Sequence, residues 1–390
     1  MSARAVLSFS RDLEFATETE LAKRMGCSKH YWLRAAVKEM IDNSLDACEE
    51  AGVATPSIII CTEDDELAVA DNGPGVPPEL VERLCVRSER TSTREAYAAP
   101  DRGSQGNALP TIMALPFGFG LEEAGLAITS QGVEHTITLR VNRLHGCIDL
   151  ERTTSEVPRR PGAIVALNWP EEIDLEALEA LIDQHAWLNP HAEFQLNDDH
   201  LWEATAAVTK WTPGLPIPAH WYTGERFAHR VLLEIRRDPK ITVAKFLTSF
   251  KGLTSSTKRS EVASAAGLTY QPLAALLDES GTALSQERAR DLLVEMQGAS
   301  RPPKADVLGA VGKETFEAWA RKHDCGTPQF LAYTTVDCVV HADIPVRWEI
   351  GFCHLPEASE RHVLIGQNEV RVSASRSRRG GSVGLDATWR

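Results

Sequence analysis

The sequence predicts an α+β protein: an α/β sandwich over residues 1–230, a helical module over 231–325, and a short β-rich segment with a basic tail over 326–390. Three observations carry that expectation. A long amphipathic helix is followed at once by two short strands, and apolar segments between about residues 125 and 168 alternate as a meander of strands does. From about 240 to 323 apolar residues recur instead at helical spacing, between breaks of Gly, Ser and Pro. With 390 residues, 43% hydrophobic and 25% charged, the chain is long enough for two or three domains that each bury a core.

Ser28 stands where it can cap a helix over residues 31–50 that stops at Gly52. Strands are expected at 57–61 and 66–70, split by the acidic turn Glu63-Asp64-Asp65. The second strand runs straight into Asp71-Asn72-Gly73-Pro74-Gly75. Residues 86–106, rich in Arg, Ser, Thr and Gly, read as a mobile loop before a helix at 107–115. Strands near 125–130, 134–141, 145–151 and 162–168 follow, and a helix near 174–188 closes the first domain. The helical module shows apolar spacing at 243–250, 261–266, 273–277, 285–296 and 313–322, and strand-like alternation returns at 330–340, 346–353 and 362–372.

Residues 1–200 carry 17 Lys and Arg against 34 Asp and Glu, whereas 201–390 carry 24 against 21, within a formal net charge of −14. So acidic a first half does not hold nucleic acid unaided. The eight cysteines, at 27, 48, 61, 85, 147, 325, 338 and 353, form no C-x-x-C pair, which suggests neither a zinc site nor a disulfide framework but free thiols in a reducing cytosol. No apolar run approaches the roughly 20 residues that cross a bilayer, and the N-terminus lacks a basic-then-apolar leader. The expected setting is cytoplasmic, with no membrane partner.

On the first helix Glu39, Asn43 and Asp46 fall at i, i+4 and i+7 as a polar stripe, opposite an apolar stripe of Leu33, Val37, Ile41 and Leu45. Alone, that stripe also fits an ordinary solvated face. Its functional reading gives Asn43 the carbonyl oxygen offered to a magnesium ion, and Glu39 the base that orients and deprotonates a water at a terminal phosphate. Asp71, ending a strand, can accept a hydrogen bond from an adenine amino group, while Gly73 and Gly75 let the backbone turn close to the base. Arg102-Gly103-Ser104-Gln105-Gly106, directly before Asn107 and a helix, has the make-up of a loop whose N–H groups cradle phosphate.

Glu39-x-x-Asp42-Asn43-Ser44-Leu45-Asp46-Ala47, then Asp71-Asn72-Gly73-Pro74-Gly75, then Arg102 to Gly106 resemble the successive ATP-site boxes of the gyrase, chaperone and MutL (GHKL) ATPases, in family order. The resemblance implies a Bergerat α/β sandwich binding ATP and Mg2+, with Glu39 as catalytic base and Asn43, Asp46, Asp71, Gly73, Gly75, Arg102, Gly103, Ser104, Gln105, Gly106 and Asn107 around the nucleotide. Histidine kinases share that fold, but their phosphoacceptor His on a dimerising helix has no counterpart here. Within the class, Asn189-Pro190-His191-Ala192-Glu193-Phe194 and the helical block that leads to Ala310-Val311-Gly312-Lys313-Glu314 resemble the B subunit of topoisomerase VI, a type IIB enzyme, with its helix-two-turn-helix insert. Residues 330–372 resemble the first strands of its transducer domain.

That resemblance implies an ATP-dependent homodimer that acts on double-stranded DNA through a partner similar to the DNA-cleaving A subunit. Three positions depart from the pattern. Asn107-Ala108 follows the phosphate loop where another Gly is usual, Gly162-Ala163 stands where a Gly-Thr usually meets the nucleotide, and no lysine follows Lys322 to serve as the transducer's switch cation. Hydrolysis by the chain alone is therefore expected to be slow. The missing lysine and short transducer keep open a second reading, a nucleotide-switched clamp of MutL or MORC type without topoisomerase activity.

Overall fold

The computed structural model describes residues 12–63, 65–84, 108–205, 209–210, 216–278, 281, 283–322, 331–340, 344–353, 360–367 and 370–378. Backbone contacts divide them into two units, one drawing on the described residues of 12–84, 108–205 and 360–378, the other on those of 209–353. The first contains α1 (Glu18–Met25), α2 (Trp32–Glu50), β1 (Ser57–Glu63), β2 (Glu66–Asp71), α3 (Pro78–Leu84), α4 (Ala108–Gly118), β3 (Glu123–Ser130), β4 (Val133–Asn142), β5 (Cys147–Glu156), β6 (Ala163–Asn168), α5 (Leu175–Leu188), β7 (Glu193–Leu196) and β8 (His200–Trp202). The strands form one eight-stranded sheet in the order β5-β4-β3-β6-β2-β1-β7-β8. Its ladders are antiparallel except β1 with β7, which run parallel. The expected α+β sandwich is what the chain forms.

Alternation places Ile58, Ile60, Leu67, Val69, Leu126, Ile128, Ile137 and Leu139 on one face of the sheet. They share a single core with Val37, Met40, Ile41 and Leu45 of α2, Ile112 and Leu115 of α4, and Leu178 and Ile182 of α5. The helices thus cover one face, as an antiparallel sheet allows. Ser28 makes no side-chain cap bond; it precedes a short 3₁₀ turn, Lys29–Tyr31, which leads into α2. Trp32 takes over the anchoring there, wholly buried, its indole N–H donating to the Cys27 carbonyl at 3.2 Å.

The segment Asn189 to Phe194 joins three of these elements. Asn189 is fully buried, and both its backbone N–H and its Nδ2 donate to the His185 carbonyl, at 2.8 and 2.9 Å, closing the end of α5. His191 Nε2 lies 2.9 Å from Glu49 Oε1 at the end of α2, and Phe194 enters the core from β7. Asn189→Ala is expected to lower stability by about 1–3 kcal/mol, because a buried carbonyl loses a donor and the amide leaves a hole. An unchanged urea midpoint, followed by tryptophan fluorescence, would show that the segment does not bind α5 to the sheet.

The second unit contains β9 (Thr209–Lys210), α6 (Gly224–Arg237), α7 (Val243–Leu247), α8 (Ser256–Ala265), α9 (Gln286–Ala299), β10 (Gly309–Ala310), α10 (Lys313–Lys322), β11 (Leu331–Val340) and β12 (Ile344–Cys353). Its core is a cluster of rings: Phe246 and Phe250 lie 5.2 Å apart between centroids, with Phe227 at 6.0 Å from Phe246 and Tyr222 at 5.8 Å from Phe250. The domain boundary expected at residue 230 falls inside α6. Thr223 caps that helix by accepting from the Arg226 N–H, and Phe227 and Val231 then pack into the second core rather than the first. Sequence spacing marks this core only from Val243 onward.

The β11–β12 hairpin is tied to the loop before α10 by Glu349, which accepts from the N–H groups of Val311 and Gly312 at 2.7 and 2.8 Å and from the Tyr333 hydroxyl. Burial and the adjacent Glu349 carboxylate push that hydroxyl above its usual titration range. Arg347 bonds both oxygens of Asp337 at 2.8 Å and the Gly309 carbonyl at 3.3 Å. Val336, Trp348, Ile350 and Phe352, which alternate with these residues along the two strands, are exposed. The single strand expected at 362–372 is two, β13 (Glu360–Gln367) and β14 (Val370–Arg378), paired with each other. Among the described residues they share no ladder with β11 and β12, and they group with the first unit, so the segment 326–390 is divided between the units.

Candidate functional site

The register of the sheet brings the end of β2, the end of β3 and the start of β6 to one edge. Ala70 pairs with Ile164, and Ser130 with Ala163, so Asp71, Ser130 and Gly162 converge there. The Asp71 carboxylate is fixed by backbone: its Oδ1 accepts from Gly73 N–H at 2.8 Å and from Ala163 N–H at 3.4 Å. Burial raises its pKa above the ordinary carboxylate value, opposed by those two N–H groups, by the Ser44 hydroxyl of α2 and by the charge of Arg160. A carboxylate held this firmly at a sheet edge presents an oriented acceptor.

Asn72, its neighbour, is spent on the fold. Its Oδ1 accepts from the Ser57 N–H at 2.9 Å, and its Nδ2 donates to the Thr55 carbonyl at 3.1 Å. Cys48 of α2 also donates to Asn72 Oδ1, at 3.4 Å, so α2 lies across the turn after β2. Burial and the nearby Asp71 charge push the Cys48 thiol up to about 12, which keeps it neutral and excludes it as a nucleophile.

The turn itself is closely packed. Gly75, at φ +80°, leaves no room for a side chain: a Cβ would lie 2.4 Å from Ser130 Oγ and 2.9 Å from the Gly162 carbonyl. Ser130, buried, accepts from the Val76 N–H at 2.8 Å and donates to the Gly162 carbonyl at 3.3 Å, so one hydroxyl joins the turn after β2 to the turn before β6.

Along α2 the expected stripe separates by burial. Asn43 is exposed, the Glu39 side chain is 40% exposed, and Asp46 is buried. Between Glu39 and Asn43, Asp42 is buried as well. Its Oδ2 lies 2.8 Å from Lys38 Nζ, which also reaches Glu39 Oε1 at 3.0 Å, and its Oδ1 faces His185 Nε2 at 3.5 Å. Burial would raise the Asp42 pKa, but His185 and Lys38 hold it below the ordinary value. Among the described residues no group of three or more His, Cys, Asp or Glu side chains forms a metal cage. An ion here would have to draw most of its ligands from water and a bound anion.

Asp71, Gly73 and Gly75 therefore gather at one sheet edge, with α2 laid over it through Ser44 and Cys48. Arg102, Gly103, Ser104, Gln105, Gly106 and Asn107, the expected phosphate cradle, lie outside the described residues. Sequence reading passes over Lys38, Asp42, Ser130 and His185. The i,i+4 spacing of Lys38 and Asp42 is a visible signal; Ser130 and His185 carry none, since only the folded register brings them to the site.

Residues 29–173 match the family described as histidine kinase-, DNA gyrase B-, and HSP90-like ATPase. With the mixed sheet and its single helical layer, this makes the first unit a domain of the GHKL ATPase fold. Over 87% of its length the chain is 26% identical to the B subunit of type 2 DNA topoisomerase 6 from Methanosarcina acetivorans, of which it covers 55%. The same-named protein of Archaeoglobus fulgidus is 43% identical over 51 residues, 12% of this chain and 8% of that one. That of Natronomonas pharaonis is 41% identical over 81 residues, 19% of this chain and 10% of that one. The chain thus resembles the topoisomerase VI B subunit, as Asn189 to Phe194 and the helical block implied, and spans about half the length of these relatives. The 43K ATPase domain of Thermus thermophilus gyrase B, solved with an aminocoumarin, is 20% identical over 51% of this chain and 54% of that one, at a TM-score of 0.32. No helix among the described residues is long and apolar enough to cross a membrane.

Proposed function

We propose that the chain binds ATP with Mg2+ and hydrolyses it, as the B-like component of a type IIB topoisomerase-like complex in which ATP-gated dimerisation controls a DNA-cleaving partner. The observation that carries the nucleotide reading is Asp71, a half-buried carboxylate locked by two backbone N–H groups at the sheet edge that α2 crosses. Such an acceptor fits the amino group of an adenine, and the turn held by Gly75 and Gly162 lets the ring approach backbone. Asn43, exposed on α2, would offer its amide oxygen to the metal, which when bound neutralises phosphate charge. Glu39 would take the proton of the attacking water. Asp46 and residues 102–107 complete the proposed nucleotide site, the latter as its phosphate cradle.

Calorimetry with a non-hydrolysable ATP analogue tests this. Binding is expected with Mg2+, and Asn43→Ala is expected to weaken the magnesium-dependent part about tenfold while leaving the fold intact. No binding at millimolar analogue would remove the nucleotide assignment. The partner reading has separate support, because the exposed Val336, Trp348, Ile350 and Phe352 give the β11–β12 hairpin an apolar face suited to another protein. Co-expression with an A-like protein, followed by size exclusion with and without the analogue, is expected to give a nucleotide-dependent dimer of complexes that cuts or protects DNA.

A second reading, a nucleotide-switched clamp of MutL or MORC type, is supported by the family match over residues 29–173, which such clamps share. A chain that ignores the A-like protein, dimerises with ATP and traps circular DNA decides for the clamp.

A further inference from the structure

We infer that Lys38, anchored by Asp42 and His185, is a positioning residue that fixes the Glu39 carboxylate for proton abstraction; the inference rests on Glu39 being the base. Lys38 and Glu39 are adjacent on α2, and neighbours on a helix do not ordinarily face one another. Here the lysine stem nevertheless brings Nζ to 3.0 Å from Glu39 Oε1, because the same ammonium is held 2.8 Å from Oδ2 of Asp42, one turn on.

The anchor is firm. Asp42 is buried, its Oδ1 faces Nε2 of the buried His185 at 3.5 Å, and His185 Nδ1 in turn lies 2.9 Å from the Leu181 carbonyl oxygen of α5. The chain of contacts therefore runs from the backbone of α5 to the exposed end of Glu39. A carboxylate 40% open to solvent would otherwise spread over several rotamers, whereas one oxygen held by a fixed ammonium leaves the other directed.

Helix stability alone does not account for the arrangement. An i,i+4 pair stabilises a helix better with the acid on the N-terminal side, and here the lysine precedes the aspartate. The outer pair, Lys38 with Glu39, is 31% and 40% exposed and contributes little to folding. What the arrangement does supply is one defined position for the single carboxylate that the hydrolysis needs.

The test is single-turnover ATP hydrolysis by the full chain, with analogue affinity measured alongside, for wild type, Lys38→Met, Lys38→Arg, Asp42→Asn, Glu39→Gln and the Lys38→Met/Glu39→Gln double variant. Lys38→Met is expected to slow hydrolysis about tenfold with affinity within about twofold, Lys38→Arg to recover to within about threefold, and Asp42→Asn to slow it as Lys38→Met does. On the Glu39→Gln background Lys38→Met should cost nothing further, since the two act as one unit. Equal slowing on both backgrounds, or a Lys38→Met rate at or above wild type, overturns the positioning role while leaving Glu39 as the base. Wild-type hydrolysis by Glu39→Gln overturns both.

Discussion

Glu39→Ala is expected to bind ATP within about threefold of wild type and to hydrolyse it about 10²–10⁴-fold more slowly, the range that a positioned general base contributes. The separation of the two effects follows from where the side chain stands. Glu39 is 40% exposed on α2, and its one described partner is the Lys38 ammonium, so its removal opens no hole in the core and leaves the Asp71 acceptor and its backbone bonds in place. Asn43→Ala should show the opposite pattern, weaker magnesium-dependent binding, since coordination acts on the ground state as well as on the reaction. Single-turnover hydrolysis measured beside calorimetric affinity separates them. Equal turnover in Glu39→Ala and wild type would assign the proton transfer to another group.

Much of this fold is legible because its signals are local. The period of α2, the alternation of β3 through β6 and the spacing of α9 and α10 all survive in the structure to within a few residues. What is not legible depends on partners far along the chain. Helix α6 is capped by Thr223 and packs Phe227 against Phe246, a relation that no window around either residue contains, so the expected domain boundary falls inside it. The segment 362–372 reads as one strand because apolar residues, Val363 to Ile365 and Val370 with Val372, stand on both sides of the short polar run Gly366-Gln367-Asn368-Glu369, in which β13 ends before β14 begins.

The candidate site divides in the same way. Glu39, Asn43 and Asp71 can be proposed from residue type and order, because a carboxylate, an amide and a strand-ending turn each suit one part of a nucleotide. The parts that hold them in place cannot. Asn72 lies in the same box as Asp71, yet it is consumed by Ser57 and Thr55. Ser130 stands in what reads as an ordinary hairpin turn, and only the pairing of β3 with β6 makes it the bolt between two loops of the site. Gly162-Ala163 reads in the sequence as the loss of a hydroxyl contact; in the fold the backbone N–H of Ala163 is directed at Asp71 instead.

Gly162→Ala is therefore expected to be the most damaging conservative change at the site. Gly162 has φ +76°, where an L side chain is strained by about 1–2 kcal/mol on its own account. An added Cβ would also stand 1.7 Å from the Asp71 carbonyl oxygen and 2.8 Å from Asp71 Oδ1, and the first of these atoms is backbone that cannot rotate away. Relief requires β6 and the end of β2 to part, which breaks the Ala163 N–H contact to Oδ1 and turns the acceptor from its position. Analogue affinity should fall at least about tenfold, a change worth about 1.4 kcal/mol. Gly146→Ala supplies the control: it lies in the turn between β4 and β5, has φ +64° and meets no atom within 4 Å, so it carries the backbone strain alone. It should lose only the roughly 1–2 kcal/mol of that strain while keeping wild-type affinity. Equal affinity in Gly162→Ala and Gly146→Ala, measured by calorimetry on folded protein, would mean that the close packing of Gly162 against Asp71 has no part in holding the nucleotide.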